Sequence, residues 1–143
     1  MVWEFKSMEA EIPREFWQGV EEFNQQQFYD CHDTLEALWM EAPQPEKKFY
    51  QGVLQIAVGL YHLSQKNWKG AVILMGEGLG KLDYYYPDYS GINVEQLMDE
   101  TSQLLKALQI AGAEKVEEFL PLMQPQGVVQ GLKLPKIQKI GDG

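Results

Sequence analysis

Apolar residues recur three and four positions apart along most of this chain, the spacing that buries one face of an α-helix. Phe16, Trp17, Val20 and Phe23 predict a first helix reaching to about Gln26. Ile12-Pro13 opens it, because the first helical position does not need the N–H that proline lacks. A break over 24–27 leads into a second helix from Phe28 to about Glu41. Ala42-Pro43-Gln44-Pro45 is a short stop, and Pro45 suits the first turn of a third helix ending near Ser64. Asn67 can cap a fourth helix, expected over 68–86 and closed by Pro87. Asp88-Tyr89-Ser90-Gly91 reads as a turn. Asn93 followed by Gln96 reads as a capping box for a fifth helix over 94–111, ended by Gly112. A short helix is expected over 113–120.

No strand alternation of useful length interrupts this series. The expected fold is all-α: a compact bundle of about five helices, with antiparallel neighbours because the connections are short. Residues 1–120 are expected to form a single helical domain, and 121–143 a Pro- and Gly-containing tail. The tail is locally basic, with Lys133, Lys136 and Lys139 against Asp142. Two courses are open to it: wrapping the bundle through Val128, Val129, Leu132 and Leu134, or partial disorder.

The second and third helices form the hairpin that holds the unusual residues. At about 100° per residue, Phe28, Cys31, Leu35, Leu38 and Trp39 share one apolar arc. His32 falls inside that arc, Glu36 at its edge, and Tyr29 beside Glu36. An imidazole is thus expected on the core-facing surface with a carboxylate one turn away. The third helix is apolar almost all round, which marks a central element. Its narrow polar stripe is Gln51, Gln55 and His62, flanked by Gly52 and Gly59. Folding the hairpin about Gln44 sets His32 opposite Ile56 and Glu36 opposite Gly52, so Gln55 is expected to reach His32 or Glu36. His62 lies about six residues further on, roughly 9 Å at the helical rise, and is expected near Asn24, Phe28 and Tyr29.

Charge removes some function classes. The net charge of -9 over 143 residues repels nucleic acid and anionic membranes, so neither is expected as a partner. The lone Cys31 allows no internal disulfide and fits a reducing cytoplasm. Residues 1–7 show no signal-peptide pattern, and no apolar run reaches spanning length.

The candidate chemistry divides three ways. His32, Glu36 and Gln55 can form a buried hydrogen-bond network that fixes helix register. They can line a ligand pocket with Tyr29, Trp39 and His62. Glu36 and His32 can act as an acid–base pair of hydrolase or isomerase type, or help bind a metal. The metal variant lacks the Glu-x-x-His pairs of di-iron bundles, and the 9 Å offset of His62 opposes one shared ion. Cys31 is a small core residue in this reading. The glycines of the fourth helix (Gly70, Gly76, Gly78, Gly80) lack the strand and Gly-Lys-Ser/Thr ending of a phosphate loop, and read as close helix packing.

Two segments carry a resemblance. Residues 28–39, FYDCHDTLEALW, and 49–62, FYQGVLQIAVGLYH, resemble paired segments of the DUF309 family over a core of about 16–108. Gly70-Ala71 and the leucines that follow resemble a third block. The resemblance implies a compact all-α domain without an assigned activity, and makes His32, Glu36 and Gln55 its signature residues. Cys31 stands where the family often has Ala. The reading taken forward is a non-catalytic module with no cofactor. Its expected ligand-binding residues are Tyr29, His32, Glu36, Trp39, Gln55 and His62, and its partner a small molecule or a protein. A homodimer fits the surplus of aromatic residues such as Trp3, Trp68 and 84–89.

Overall fold

A computed structural model describes residues 12–141. Trp3 and Asp142 lie outside the described residues. The fold is all-α, as the periodicity requires. Five α-helices follow one another among the described residues: α1 (Arg14–Asn24), α2 (Phe28–Glu41), α3 (Glu46–Ser64), α4 (Trp68–Leu82) and α5 (Val94–Ala111). Consecutive helices pack on each other, and α3 is the central one. Its Phe49, Val53, Ile56, Leu60 and Leu63 are all essentially without solvent contact.

Helix ends follow from local chemistry. Ala42, before Pro43, is extended at φ -76°, ψ 140°, because a residue preceding proline is pushed out of the helical region. Neither α1 nor α3 ends on glycine. Each closes on a left-handed residue, Gln26 (φ 64°) and Lys66 (φ 63°). Gln27 N–H then reaches back to the Glu22 carbonyl at 2.8 Å, and Asn67 N–H to the His62 carbonyl at 2.9 Å. These bonds satisfy carbonyls that the helix end leaves open.

The fourth helix stops four residues short of the expected end. Tyr86 precedes Pro87 and is extended (ψ 140°), so Asp83–Tyr85 tightens into a 3₁₀ turn instead. The expected turn at Asp88 becomes a small antiparallel hairpin, Asp88–Tyr89 with Ile92–Asn93. Ser90 (φ 50°) and Gly91 (φ 80°) supply the two positive φ values that a tight hairpin turn needs. Asn93 does cap α5, its side-chain oxygen accepting from Gln96 N–H at 3.0 Å. The reciprocal half of a capping box is absent: the Gln96 amide donates to Glu100 at 3.1 Å. Asn93 N–H is taken instead by the carbonyl of Gln138 at 2.8 Å. The expected short helix at 113–120 is a 3₁₀ run, Ala113–Met123.

The tail wraps. Leu134 and Ile137 are buried, whereas Val128 is exposed and Val129 and Leu132 only pack at the edge. Asn24 holds it like a second strand would, donating to the Ile137 carbonyl at 2.9 Å and accepting from Ile137 N–H at 2.7 Å. Ile140 N–H donates to the Gly91 carbonyl at 2.8 Å, so the tail ties down the tip of the hairpin.

Helices α3 and α4 approach closely through glycine. A Cβ built on Gly78 would lie 2.8 Å from the Gly52 carbonyl oxygen. One on Gly59 would lie 3.2 Å from the Ala71 carbonyl. Trp68 is half-buried rather than exposed, with its indole N–H donating to the Leu108 carbonyl at 2.8 Å.

Candidate functional site

The narrow buried stripe of α2 consists of Phe28, Cys31 and Leu35. His32 sits at its border and not inside it, with a third of its side chain exposed. Its Nε2 meets Glu36 Oε2 at 2.9 Å, and its Nδ1 meets Asp33 Oδ1 at 3.2 Å. Tyr29 stands beside it, ring centroids 6.0 Å apart, and is 59% exposed. The buried network expected here is therefore a surface cluster. A helical wheel gives directions, but the breadth of the partner helices decides where burial ends.

The expected fourth member is elsewhere. Gln55 donates its amide to Glu77 Oε2 of α4 at 3.2 Å, so it joins neither His32 nor Glu36. Gly52, expected opposite Glu36, faces Leu82 and Lys81 of α4. The cause is α4, which occupies the polar stripe of α3 that the hairpin alone would have shared with α2. His62 follows the same rule. It lies against Gly70, and its Nδ1 is 3.1 Å from the Asn67 amide nitrogen, at the start of α4. Its neighbour Tyr61 is the residue that meets Tyr29, edge to face at 5.5 Å. Trp39 is half-buried under Lys47, whose Nζ is 4.7 Å from the ring centroid and donates to the Trp39 carbonyl at 2.9 Å.

Of the six expected residues, the structure brings together Tyr29, His32 and Glu36, whereas Gln55 and His62 find their partners at Glu77 and Asn67 and Trp39 lies under Lys47. Among the described residues no three His, Cys, Asp or Glu side chains are placed to hold a metal ion. Cys31 is fully buried, and burial, reinforced by the charge of Glu22, pushes its thiol up from 9.0 to about 12. That suppresses the thiolate on which cysteine reactivity depends.

An apolar concavity lies at the closed end of the α2–α3 hairpin, a cleft of about 740 Å³. Its walls are Leu38 and Ala42 from the end of α2, Pro43 from the turn, Tyr50 from α3, and Ile12 and Pro13 ahead of α1. The hairpin tip (Tyr89, Ser90, Gly91) closes one side. Three carboxylates enter it, Glu15, Glu41 and Glu46. Tyr89 donates its hydroxyl to Glu46 Oε1 at 3.0 Å. Tyr85 beneath donates to the Pro45 carbonyl at 2.6 Å, fixing the turn. Burial, then Glu46, pushes the Tyr50 hydroxyl above its ordinary value of 10.0; burial, then the Glu46 hydrogen bond, does the same for Tyr89. Sequence reasoning missed this cleft because residues 12, 42 and 89 meet only through the tertiary fold. The one signal was the Tyr84–Tyr89 aromatic cluster, which divides: Tyr84 and Tyr86 are exposed, while Tyr85 and Tyr89 pack inward.

The turn that shapes this cleft sits inside a span that resembles a known family. Residues 16–74 match the family model of DUF309, a domain of unknown function. This stretch is similar to that domain. The resemblance carried by residues 28–39 and 49–62 is thereby borne out, over a span ending at 74 and not at 108. The uncharacterized protein YpuF of Bacillus subtilis (strain 168) is 38% identical over 53 residues, which cover 36% of this chain and 30% of YpuF. The matched span takes in nearly all of α1, then α2, α3 and the first half of α4. It contributes Leu38, Ala42 and Tyr50 to the cleft, whereas Ile12 and Tyr89 come from outside the matched span.

Proposed function

We propose that this protein is a non-catalytic binding module whose ligand is a small organic molecule seated in the cleft at the closed end of the hairpin. One observation carries the reading. About 740 Å³ of mostly apolar concavity is edged by a few polar groups, the Tyr89 hydroxyl and three glutamates. Small-molecule sites have that volume and that mixture, with apolar walls for affinity and sparse polar groups for orientation. The described residues contain no helix long and apolar enough to cross a membrane. With the single buried thiol, this supports a cytoplasmic location. Self-association as a homodimer belongs to the same reading and would cover Tyr29, Met40 or Ile73, all exposed. Native mass spectrometry reads that directly.

The test is a fragment screen followed by amide chemical shifts. Ligands should move the resonances of Leu38, Tyr50 and Tyr89 together. Ala37, an exposed cleft residue, offers a block: Ala37→Trp should abolish binding while leaving the melting temperature nearly unchanged. A screen whose hits ignore the cleft and survive Ala37→Trp rejects the reading.

A second reading rests on the 2.9 Å contact between His32 and Glu36, the geometry of an acid–base pair. It places chemistry on the open surface beside Tyr29. Turnover lost in both His32→Ala and Glu36→Gln, with folding intact, would support it.

A further inference from the structure

The sign of charge inside the cleft narrows its ligand, given the binding reading above. Among the described residues, every charged side chain lining it is acidic: Glu15, Glu41 and Glu46. No lysine, arginine or histidine of the described residues lines it. Three lysines of the described residues near these carboxylates are engaged elsewhere. Lys47, next to Glu46 in sequence, lies over Trp39 and donates to its carbonyl. Lys48 lies over the Tyr84 ring at 5.0 Å. Lys139 is bridged to the hairpin tip through Ile92, yet its Nζ lies over Trp17 at 4.8 Å. Arg14 lies between two lining residues in sequence without lining the cleft itself. The negative field is legible in the protein's own groups, since Glu46 helps push the hydroxyls of Tyr50 and Tyr89 upward. An anion entering here would meet three like charges. A neutral apolar molecule would fill the walls and leave the carboxylates unanswered. A cation with an apolar body satisfies both, and the tyrosine rings add a cation–π surface.

We infer that the cleft binds a small organic ammonium, with its charged head toward Glu15, Glu41 and Glu46 and its apolar body against Leu38, Ala42 and Tyr50. The volume commits the source to a free small molecule, because about 740 Å³ holds a drug-sized body rather than a protein surface.

A matched set tests this: 2-phenylethylammonium, neutral 2-phenylethanol and anionic 3-phenylpropionate, titrated against the full chain and followed by amide shifts at Leu38, Tyr50 and Tyr89. The ammonium should bind at least tenfold more tightly than the alcohol, and the propionate should not bind. Glu41→Gln should weaken the ammonium about threefold, and the Glu15→Gln/Glu41→Gln pair about tenfold, without changing the alcohol. Raising salt should erode the ammonium's advantage. Equal binding of all three, insensitive to Glu41→Gln, overturns the cation assignment and leaves the binding reading standing. No shift at the cleft with any of them, together with screening hits that map elsewhere, overturns both. A lysine-bearing peptide that outcompetes the amine would show a protein partner and overturn the inference.

Discussion

Gly78 and Gly76 lie two residues apart on one helix, yet alanine should act on them in opposite directions. An alanine in a helix interior is favoured over glycine by about 1 kcal/mol, because glycine loses more backbone freedom on folding. Nothing lies within 4 Å of a Cβ at Gly76 or Gly80, so Gly76→Ala and Gly80→Ala should each stabilise by roughly 0.5–1 kcal/mol. At Gly78 the new methyl would lie 2.7 Å from Ile56 Cγ1, 2.8 Å from the Gly52 carbonyl oxygen and 3.2 Å from Ile56 N. Two of those three are backbone atoms of α3, which a rotamer change cannot move. The helices must separate, and overpacking of that kind costs about 1–3 kcal/mol. Gly78→Ala should therefore come out near neutral to 2 kcal/mol destabilising, about 2 kcal/mol below its two neighbours. For a chain of this size 1 kcal/mol shifts Tm by roughly 3–5 °C, so the gap should approach 6–10 °C. Thermal melts and urea titrations with equal slopes would read it. A Gly78→Ala protein that melts at or above Gly76→Ala would refute the close packing of α3 on α4.

Other expectations follow from single contacts. The Cys31 thiol should resist a disulfide reagent at pH 8 in the native protein and react at the unfolding rate. Its raised pKa means the folded state holds a proton that the unfolded chain releases, so stability is full below pH 9 and falls from there to about pH 12. At about 1.4 kcal/mol per pH unit, that window is worth at most roughly 4 kcal/mol. The alkaline slope should flatten in Cys31→Ala. His32→Ala and Glu36→Gln should each cost under about 1 kcal/mol in urea titrations, since both groups are partly exposed. A loss above about 3 kcal/mol would restore the buried network. Asn24→Ala should cost about 1–3 kcal/mol by leaving Ile137 unpaired. It should also speed amide exchange at Ile137, Asn93 and Ile140 together, whereas acceleration at Ile137 alone would show that the tail does not hold as a unit.

Much of the fold was readable along the chain. The bounds of α2 and α3 follow from Phe28, the Pro43–Pro45 stop and the uninterrupted apolar run, because each is a local signal. The closures at Gln26 and Lys66 were not readable, since residues other than glycine in a left-handed conformation leave no compositional mark. The capping box at Asn93 was half right. Its own side chain was decided locally, but its N–H went to Gln138, forty-five positions away in sequence.

The candidate site divides the same way. Sequence by itself determined a helical hairpin with His32 and Glu36 one turn apart, because a helix of known period sets which residues of one segment lie side by side. It also determined a lone thiol on the buried arc. Only the tertiary structure decided that α4, and not α2, takes Gln55 and His62, that the His32 pair faces solvent, and that residues 12, 42, 50 and 89 enclose a cleft. The physical reason is range. Helical periodicity fixes direction within one element, but burial and concavity are set by which other elements arrive. The close approach of α4 and the tying of the hairpin tip by the tail depend on contacts between segments far apart in the chain.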